Sequence, residues 1–402
     1  MRRLDPALLV VLGGVSAALH VGKLPPALPV LQQALGVTLL QAGFLLSLVQ
    51  LAGMTLGLAV GLAADGLGLK RTMVSGLVII STASLLGGWA MEPWGLMVLR
   101  SAEGLGFLLA SMPAPGLIRR LVEPERMSGT LGLWGAYMPF GTALSLLGGP
   151  LVIAMVGWQG WWWLLAALSA AMALWLSLAL PADAASPRAK GDRQRWGDRL
   201  RSALSSRGPW LVALCFAVYS AQWLAVIGFL PSVYVQAGLP HAIAGAATAL
   251  AAAANISGNV IAGRLLQRGV RPQLLLYVGY AAMALGGFLA FAPVWGGMDN
   301  TLAAGLRYAA VLMFSSVGGL IPGTLFSLAV RLAPGEHAVS VTMGWIQQWS
   351  AAGQLVGPPL VAWVATRTGG WHWSWLVTGG CALAGLWLAS RVGALSRRSP
   401  AT

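Results

Sequence analysis

Gly61-Leu-Ala-Ala-Asp65-Gly-Leu-Gly68-Leu-Lys70-Arg71 is the stretch on which the reading of this chain turns. It joins two apolar runs, roughly 38–63 and 71–91. Each is long enough to cross a hydrocarbon core of ~30 Å, which takes ~20 helical residues. Between them sit two basic residues and an aspartate. Gly61 allows two helices to approach closely. Asp65 can cap the start of the following segment and pair with Lys70 or Arg71. Gly68 permits a tight turn. A short basic turn between two spans predicts a polytopic helical membrane protein with that turn on the cytoplasmic side.

Composition agrees. The chain has 402 residues, 57% hydrophobic and only 9% charged, where a soluble domain carries about 25% charged residues. Twelve spans are expected, near 6–31, 38–63, 71–91, 94–118, 127–153, 160–180, 209–235, 241–263, 272–292, 301–330, 337–365 and 371–391. The opening Met1-Arg2-Arg3 mimics a secretory signal. Lys23, Pro25, Pro26 and Pro29 follow it, so it reads as an uncleaved first membrane helix. The polar stretch 181–208 divides the chain into an N-terminal bundle, 1–180, a basic cytoplasmic linker, and a C-terminal bundle, 209–402.

The formal charge of +14 would suggest nucleic acid on a soluble protein. Here the basic residues fall at Arg2/Arg3, Lys70/Arg71, Arg119/Arg120/Arg126, the linker, Arg264/Arg268/Arg271, Arg331 and Arg391/Arg397/Arg398. With twelve spans these lie on one side. The excess is therefore a topology signal facing anionic lipid, with both termini expected in the cytoplasm and no nucleic-acid partner. Cys215 and Cys381 lie within apolar spans, which argues against a disulfide framework.

The halves resemble one another. At an offset of 202 residues, Pro29 meets Pro231, Gly36 meets Gly238, Ala42-Gly43 meets Ala244-Gly245 and Gly61 meets Gly263; Gly149-Pro150 later resembles Gly357-Pro358. Proline restricts the backbone and glycine permits conformations that other residues avoid, so their recurrence at one offset predicts two six-helix repeats. Such repeats are a transporter architecture with the solute site near the midplane.

With that organisation, the 61–71 stretch closely resembles the loop signature of the major facilitator superfamily. Gly66 stands where the family usually has arginine. Gly263-Arg264-Leu-Leu-Gln267-Arg268-Gly269 is a degenerate second copy. The resemblance implies an all-α fold of twelve transmembrane helices in two pseudo-repeats around a central cavity. It also implies a conformational latch built from Gly61, Asp65, Gly68, Lys70 and Arg71. Arg100-Ser-Ala-Glu103-Gly104 resembles the family's helix 4 signature. The family's antiporter signature in helix 5 is only approximated, by Gly141, Gly148, Gly149 and Pro150.

Arg100 and Glu103 interrupt an otherwise uncharged run, 94–117. A charge at the bilayer centre costs ~2.5–3.5 kcal/mol on insertion scales, so these residues are expected to pair, being i and i+3 on one helix face. By the resemblance, helices 1, 4, 7 and 10 line the cavity. They bring His20 and Lys23, Arg100 and Glu103, Tyr219, Gln222 and Trp223, and Arg307 with Tyr308. The cations would favour an anion through charge-assisted hydrogen bonds. Glu103 and His20 are the embedded candidates for proton coupling. The expected activity is secondary transport of a small solute by alternating access, proton-coupled and leaning to a small organic anion, by a functional monomer. Drug or metabolite efflux by proton antiport is the alternative. A membrane enzyme or a non-transporting receptor is the alternative of a different class. No convergent catalytic set, no metal-ligand spacing and no phosphate-binding loop is present in the sequence, so no cofactor is expected.

Overall fold

The computed structural model describes residues 5–123, 126, 130, 133–183, 191–335 and 338–398, without the side chains of 61–67, 191–196, 199, 340 and 396–398. The described chain is helical and contains no strand. It divides into two compact units, Met1–Ala189 with Gly228–Ala249, and Lys190–Ile227 with Leu250–Thr402.

The first unit begins with α1 (Pro6–Gly22) and α2 (Leu24–Leu35), separated at Lys23. The sequence predicts a single span here, and the two helices form one, Pro6–Leu35, with Lys23 still in helical conformation (φ −70°, ψ −27°). Pro25 and Pro26 lack the N–H groups that would bond the carbonyls of Val21 and Gly22, so the hydrogen-bond ladder is interrupted there. α3 (Leu39–Ser47) is capped by Thr38 and Gln41 in a reciprocal box. A 3₁₀ turn, Leu48–Gln50, leads to α4 (Leu51–Leu67), then α5 (Leu69–Gly87) and α6 (Pro93–Ser111). α7 (Ala114–Leu121) follows a second interruption beside Pro113. α8 (Tyr137–Ala179) runs for 43 residues but is bent at Gly157, whose φ of 74° and ψ of 171° are not helical. Its two limbs are therefore the expected fifth and sixth spans.

In the rest of the chain, α9 (Gly191–Ser205) lies in the basic linker, followed by α10 (Arg207–Gln236), α11 (His241–Gln267) and α12 (Pro272–Phe291). α13 (Asn300–Gly318) and α14 (Leu320–Arg331) part at Gly319. α15 (Val339–Thr368) and α16 (Ser374–Arg398) complete the chain. Ten helices are long and apolar enough to cross a membrane among the described residues. Counting α8 as two limbs and adding α15, long enough at 30 residues but more polar, brings the crossings to twelve.

The repeat seen in the sequence has a backbone counterpart. Pro29 and Pro231 both lie inside helices. Gly36 and Gly238 both take positive φ, 64° and 90°, the left-handed conformation that ends a helix at low cost only for glycine.

In lipid, helices associate by close packing at small residues rather than by expulsion of water. The first unit shows this directly. A methyl group on Gly106 would lie 2.6 Å from the Gly76 carbonyl oxygen, and one on Gly141 2.6 Å from Ala18 Cβ. These contacts press α6 onto α5 and α8 onto α1. The apolar interior of this unit is built from α1, α5, α6, α7 and α8, with Leu9, Val10, Met73, Leu77, Ile80 and Leu176 at its centre. That of the second unit gathers Val212, Phe216, Tyr280, Phe314, Ile321 and Ile346.

A buried charge centre and its surroundings

Buried charged groups gather around the proline-interrupted turn at Lys23. Pro25 and Pro26 leave backbone carbonyls at the end of α1 without helical donors, and Arg100 on α6 reaches this turn. Its Nη1 donates to the His20 carbonyl at 2.6 Å, its Nη2 to Val21 at 3.4 Å, and its Nε to Leu45 on α3 at 3.2 Å. Val21 is a carbonyl that Pro25 leaves without its helical donor. Ser145 donates to Leu19 O at 2.8 Å and Trp161 Nε1 to Lys23 O at 3.3 Å, so α8 covers the same end. Gly104 makes the approach possible, since a side chain there would strike the backbone of Val49.

Three residues then converge on one carboxylate. Arg100 Nη1 donates to Glu103 Oε2 at 2.7 Å, the expected i, i+3 pair. Lys23 Nζ forms an ion pair with Glu103 Oε1, donates to Ser84 Oγ at 3.0 Å, and sits 4.4 Å from the Trp162 ring. His20 Nδ1 lies 3.8 Å from Glu103 Oε1. Its Nε2 is 2.9 Å from Ser169 Oγ, which is 3.0 Å from Ser16 Oγ. His20, Lys23, Arg100 and Glu103 are each no more than 2% exposed. The ammonium of Lys23 is held by a carboxylate, a hydroxyl and an aromatic face.

The second unit holds an uncharged polar set. Asn255 Nδ2 donates to Tyr219 Oη and to the Ser315 carbonyl, each at 2.9 Å. Trp223 Nε1 donates to Ser315 Oγ at 3.2 Å, and Asn259 Nδ2 to Asn255 Oδ1 at 3.0 Å. Gln222 is buried, with Nε2 on the Val218 carbonyl and Oε1 without a hydrogen-bond partner. Arg307 is exposed and Tyr308 half-buried on α13.

At the start of α5, Gly68 has φ 95°. The carboxylate that caps this helix is Asp183. Its Oδ1 accepts from Lys70 N and its Oδ2 from Arg71 N, each at 3.0 Å, while Lys70 Nζ donates to the Leu180 carbonyl at 2.6 Å. The sequence reading that Asp65 can cap this helix falls on a side chain outside the described residues, as do the side chains of 61–67 generally; Asp183 accepts from two helix-start N–H groups. Asp183 was legible as the first carboxylate after the sixth span, two residues past Pro181. Ser84, Ser169, Trp162, Asn255 and Ser315 carry no formal charge and gave no comparable signal.

Among the described residues, no group of three or more His, Cys, Asp or Glu side chains is placed to hold a metal ion. Cys215 and Cys381 are free thiols.

Residues 10–350 match the family described as Major Facilitator Superfamily. The chain is similar to the 2-nitroimidazole transporter of Escherichia coli (strain K12), 27% identical over 361 residues that cover 86% of this chain and 84% of that protein. It is also similar to the cyanate transport protein CynX of the same organism, 25% identical over 363 residues, covering 87% and 83%. Among solved structures, a bacterial homologue of the human lysosomal transporter Spinster superposes with a TM-score of 0.74 at 14% identity over 98% of each chain. The D-xylose-proton symporter superposes with 0.74 at 17% identity over 96% and 97%. At these identities the structural likeness carries the fold.

Proposed function

This chain belongs to the Major Facilitator Superfamily, an integral membrane transporter rather than an enzyme, and on that premise we propose that it moves a small organic anion by alternating access, coupled to protons. The observation that carries this reading is the charge count around Glu103. Two cations, Lys23 and Arg100, face one carboxylate with all three buried. A buried charge without a partner costs several kcal/mol, so the centre is one negative charge short. A substrate carboxylate or a cyanate-like anion supplies it. When the anion takes Lys23, Glu103 is released, and a proton on Glu103 returns the centre to its starting charge. Anion and proton therefore bind together without a net change in buried charge, which is the physical basis of coupling in this scheme.

Arg100, Lys23 and His20 are the proposed substrate contacts of the first unit; Tyr219, Gln222, Trp223, Arg307 and Tyr308 are those of the second. Glu103 and His20 handle the proton. Gly61, Asp65, Gly68, Lys70 and Arg71 form the proposed latch that holds one access state, with Asp183 added to it. The protein acts as a monomer in a bacterial inner membrane, the two bundles 1–180 and 209–402 joined by a cytoplasmic linker and both termini cytoplasmic.

Reconstitution in liposomes with an imposed pH gradient tests the reading, using cyanate, short monocarboxylates, 2-nitroimidazole and a lipophilic cation as labelled solutes. Accumulation of an anion that rises with the gradient is the expected result. Accumulation of the lipophilic cation alone overturns it in favour of drug efflux. The uncharged Tyr219–Asn255–Ser315–Trp223 set favours a second reading, a neutral heteroaromatic solute, which accumulation of 2-nitroimidazole alone would support.

A further inference from the structure

The coupling scheme places a proton on a carboxylate that no solvent reaches, and His20 is the side chain best placed to move it. His20 Nδ1 is buried and makes no hydrogen bond. The group it faces is Glu103 Oε1, 3.8 Å away. On the other side of the ring, Nε2 is 2.9 Å from Ser169 Oγ, and Ser169 Oγ is 3.0 Å from Ser16 Oγ. The charged groups around the imidazole are Glu103 and Arg100 from α6 and Lys23 from the α1–α2 junction. Neither cation offers an exit. A guanidinium does not deprotonate in proteins. From Lys23 the path leads to Ser84, whose hydroxyl donates to the Trp162 carbonyl, and a carbonyl has no proton to pass on. The His20 branch instead continues through two hydroxyls, each able to accept one proton while giving up another.

Resting on the coupling reading above, we propose that Glu103, His20, Ser169 and Ser16 form a proton relay running along α1 toward its N-terminal end. Ser16 stands one helical turn, ~6 Å, nearer that end than His20, and it is 6% exposed where His20 and Ser169 are fully buried. In the delivering direction, the Glu103 carboxyl proton joins Nδ1. The Nε2 proton passes to Ser169 Oγ as the Ser169 hydroxyl proton moves to Ser16 Oγ, and the Ser16 proton leaves to water. One carboxylate is regenerated, one proton is released, and the imidazole is left as its other tautomer, which a reverse passage or ring rotation resets. The 3.8 Å gap is about 1 Å beyond hydrogen-bond length. Proton transfer therefore waits for Glu103 and the ring to close on each other, and release of Glu103 from Lys23 provides that movement.

Time-resolved infrared spectroscopy of the purified full-length protein after a pH jump reads the relay without any solute. The Glu103 carboxyl band is identified as the one absent from Glu103→Gln. In Ser169→Ala and Ser16→Ala the band should reach its wild-type amplitude with the same pH midpoint, but at a rate lowered about tenfold or more. Ser169→Thr, which keeps the hydroxyl, should recover the rate. A purely packing role for Ser169 would lower thermal stability and leave the rate alone. A Glu103 band that forms at wild-type rate in both alanine variants overturns the relay while leaving the coupling carboxylate intact. A wild-type protein with no Glu103 band at any pH overturns the relay and the coupling role together.

Discussion

Arg100 uses four donor hydrogens on Leu45, His20, Val21 and Glu103, so its guanidinium ties α6 to the proline-interrupted end of α1, to α3 and to the carboxylate at once. Removing one partner of a buried charged pair leaves the other uncompensated, at about 3–5 kcal/mol. Arg100→Ala is therefore expected to abolish transport and to lower thermal stability by an amount of that order, read by unfolding in detergent and by uptake into liposomes. Arg100→Lys keeps the charge but not the planar fork. It should recover part of the stability and little of the transport; full transport by the lysine variant would remove the geometric role. The pairing of Arg100 with Glu103 was legible because three-residue spacing on one helix is a local fact. That His20 and Lys23 join them was read only through the family resemblance, because it depends on how α1 is rotated against α6, which no spacing within one helix contains. Arg307 carries the same kind of charge in the sequence and is exposed in the structure, a difference no spacing rule contains.

At the scale of elements, the start of α5 depends on Asp183. Loss of a helix N-cap costs typically ~1 kcal/mol, so Asp183→Ala should destabilise by about that much, while Asp183→Asn, which still accepts hydrogen bonds, should cost less; equal melting of all three proteins would deny the cap. Gly106 and Gly76 set the spacing of α5 and α6. Gly106→Val should part the two helices and lower the yield of folded protein, measured by size-exclusion profile. The start of α1 brings a pH dependence. Asp5 accepts from Ala7 N at 3.0 Å and from Arg126 Nη2 at 2.8 Å, and these two bonds hold its carboxyl below the ordinary value of 3.8. A carboxyl depressed in the folded state contributes stability above the unfolded pKa and loses it as pH falls through the folded one. The small advantage of wild type over Asp5→Asn should thus be present at pH 6 and vanish below about pH 3–4, a comparison of melting curves across that range. The interruptions of the hydrogen-bond ladder at Lys23 and Gly319, where the backbone stays helical, are element-scale facts that hydropathy cannot see, since apolar composition runs through them.

For the whole molecule, twelve crossings were legible because an apolar run of sufficient length has few alternatives in lipid, and the offset of 202 between Pro29 and Pro231 and between Gly36 and Gly238 marked a repeat whose members share helix-interior prolines and left-handed caps. The bend of α8 at Gly157 falls in the gap left between the expected spans 127–153 and 160–180. The orientation of all crossings in the membrane rests on lysine and arginine alone. With Cys215 and Cys381 first replaced by alanine, a cysteine at Gly191, in the basic stretch between the sixth and seventh spans, should react with a membrane-impermeant maleimide only in inverted vesicles. One at Asp299, just before α13, should react only in intact cells. With an even number of crossings, tags at both termini should be reached from the same side as Gly191. Labelling of Gly191 from outside would invert the whole arrangement, and labelling of both positions from one side would contradict the three crossings, α10, α11 and α12, that lie between them.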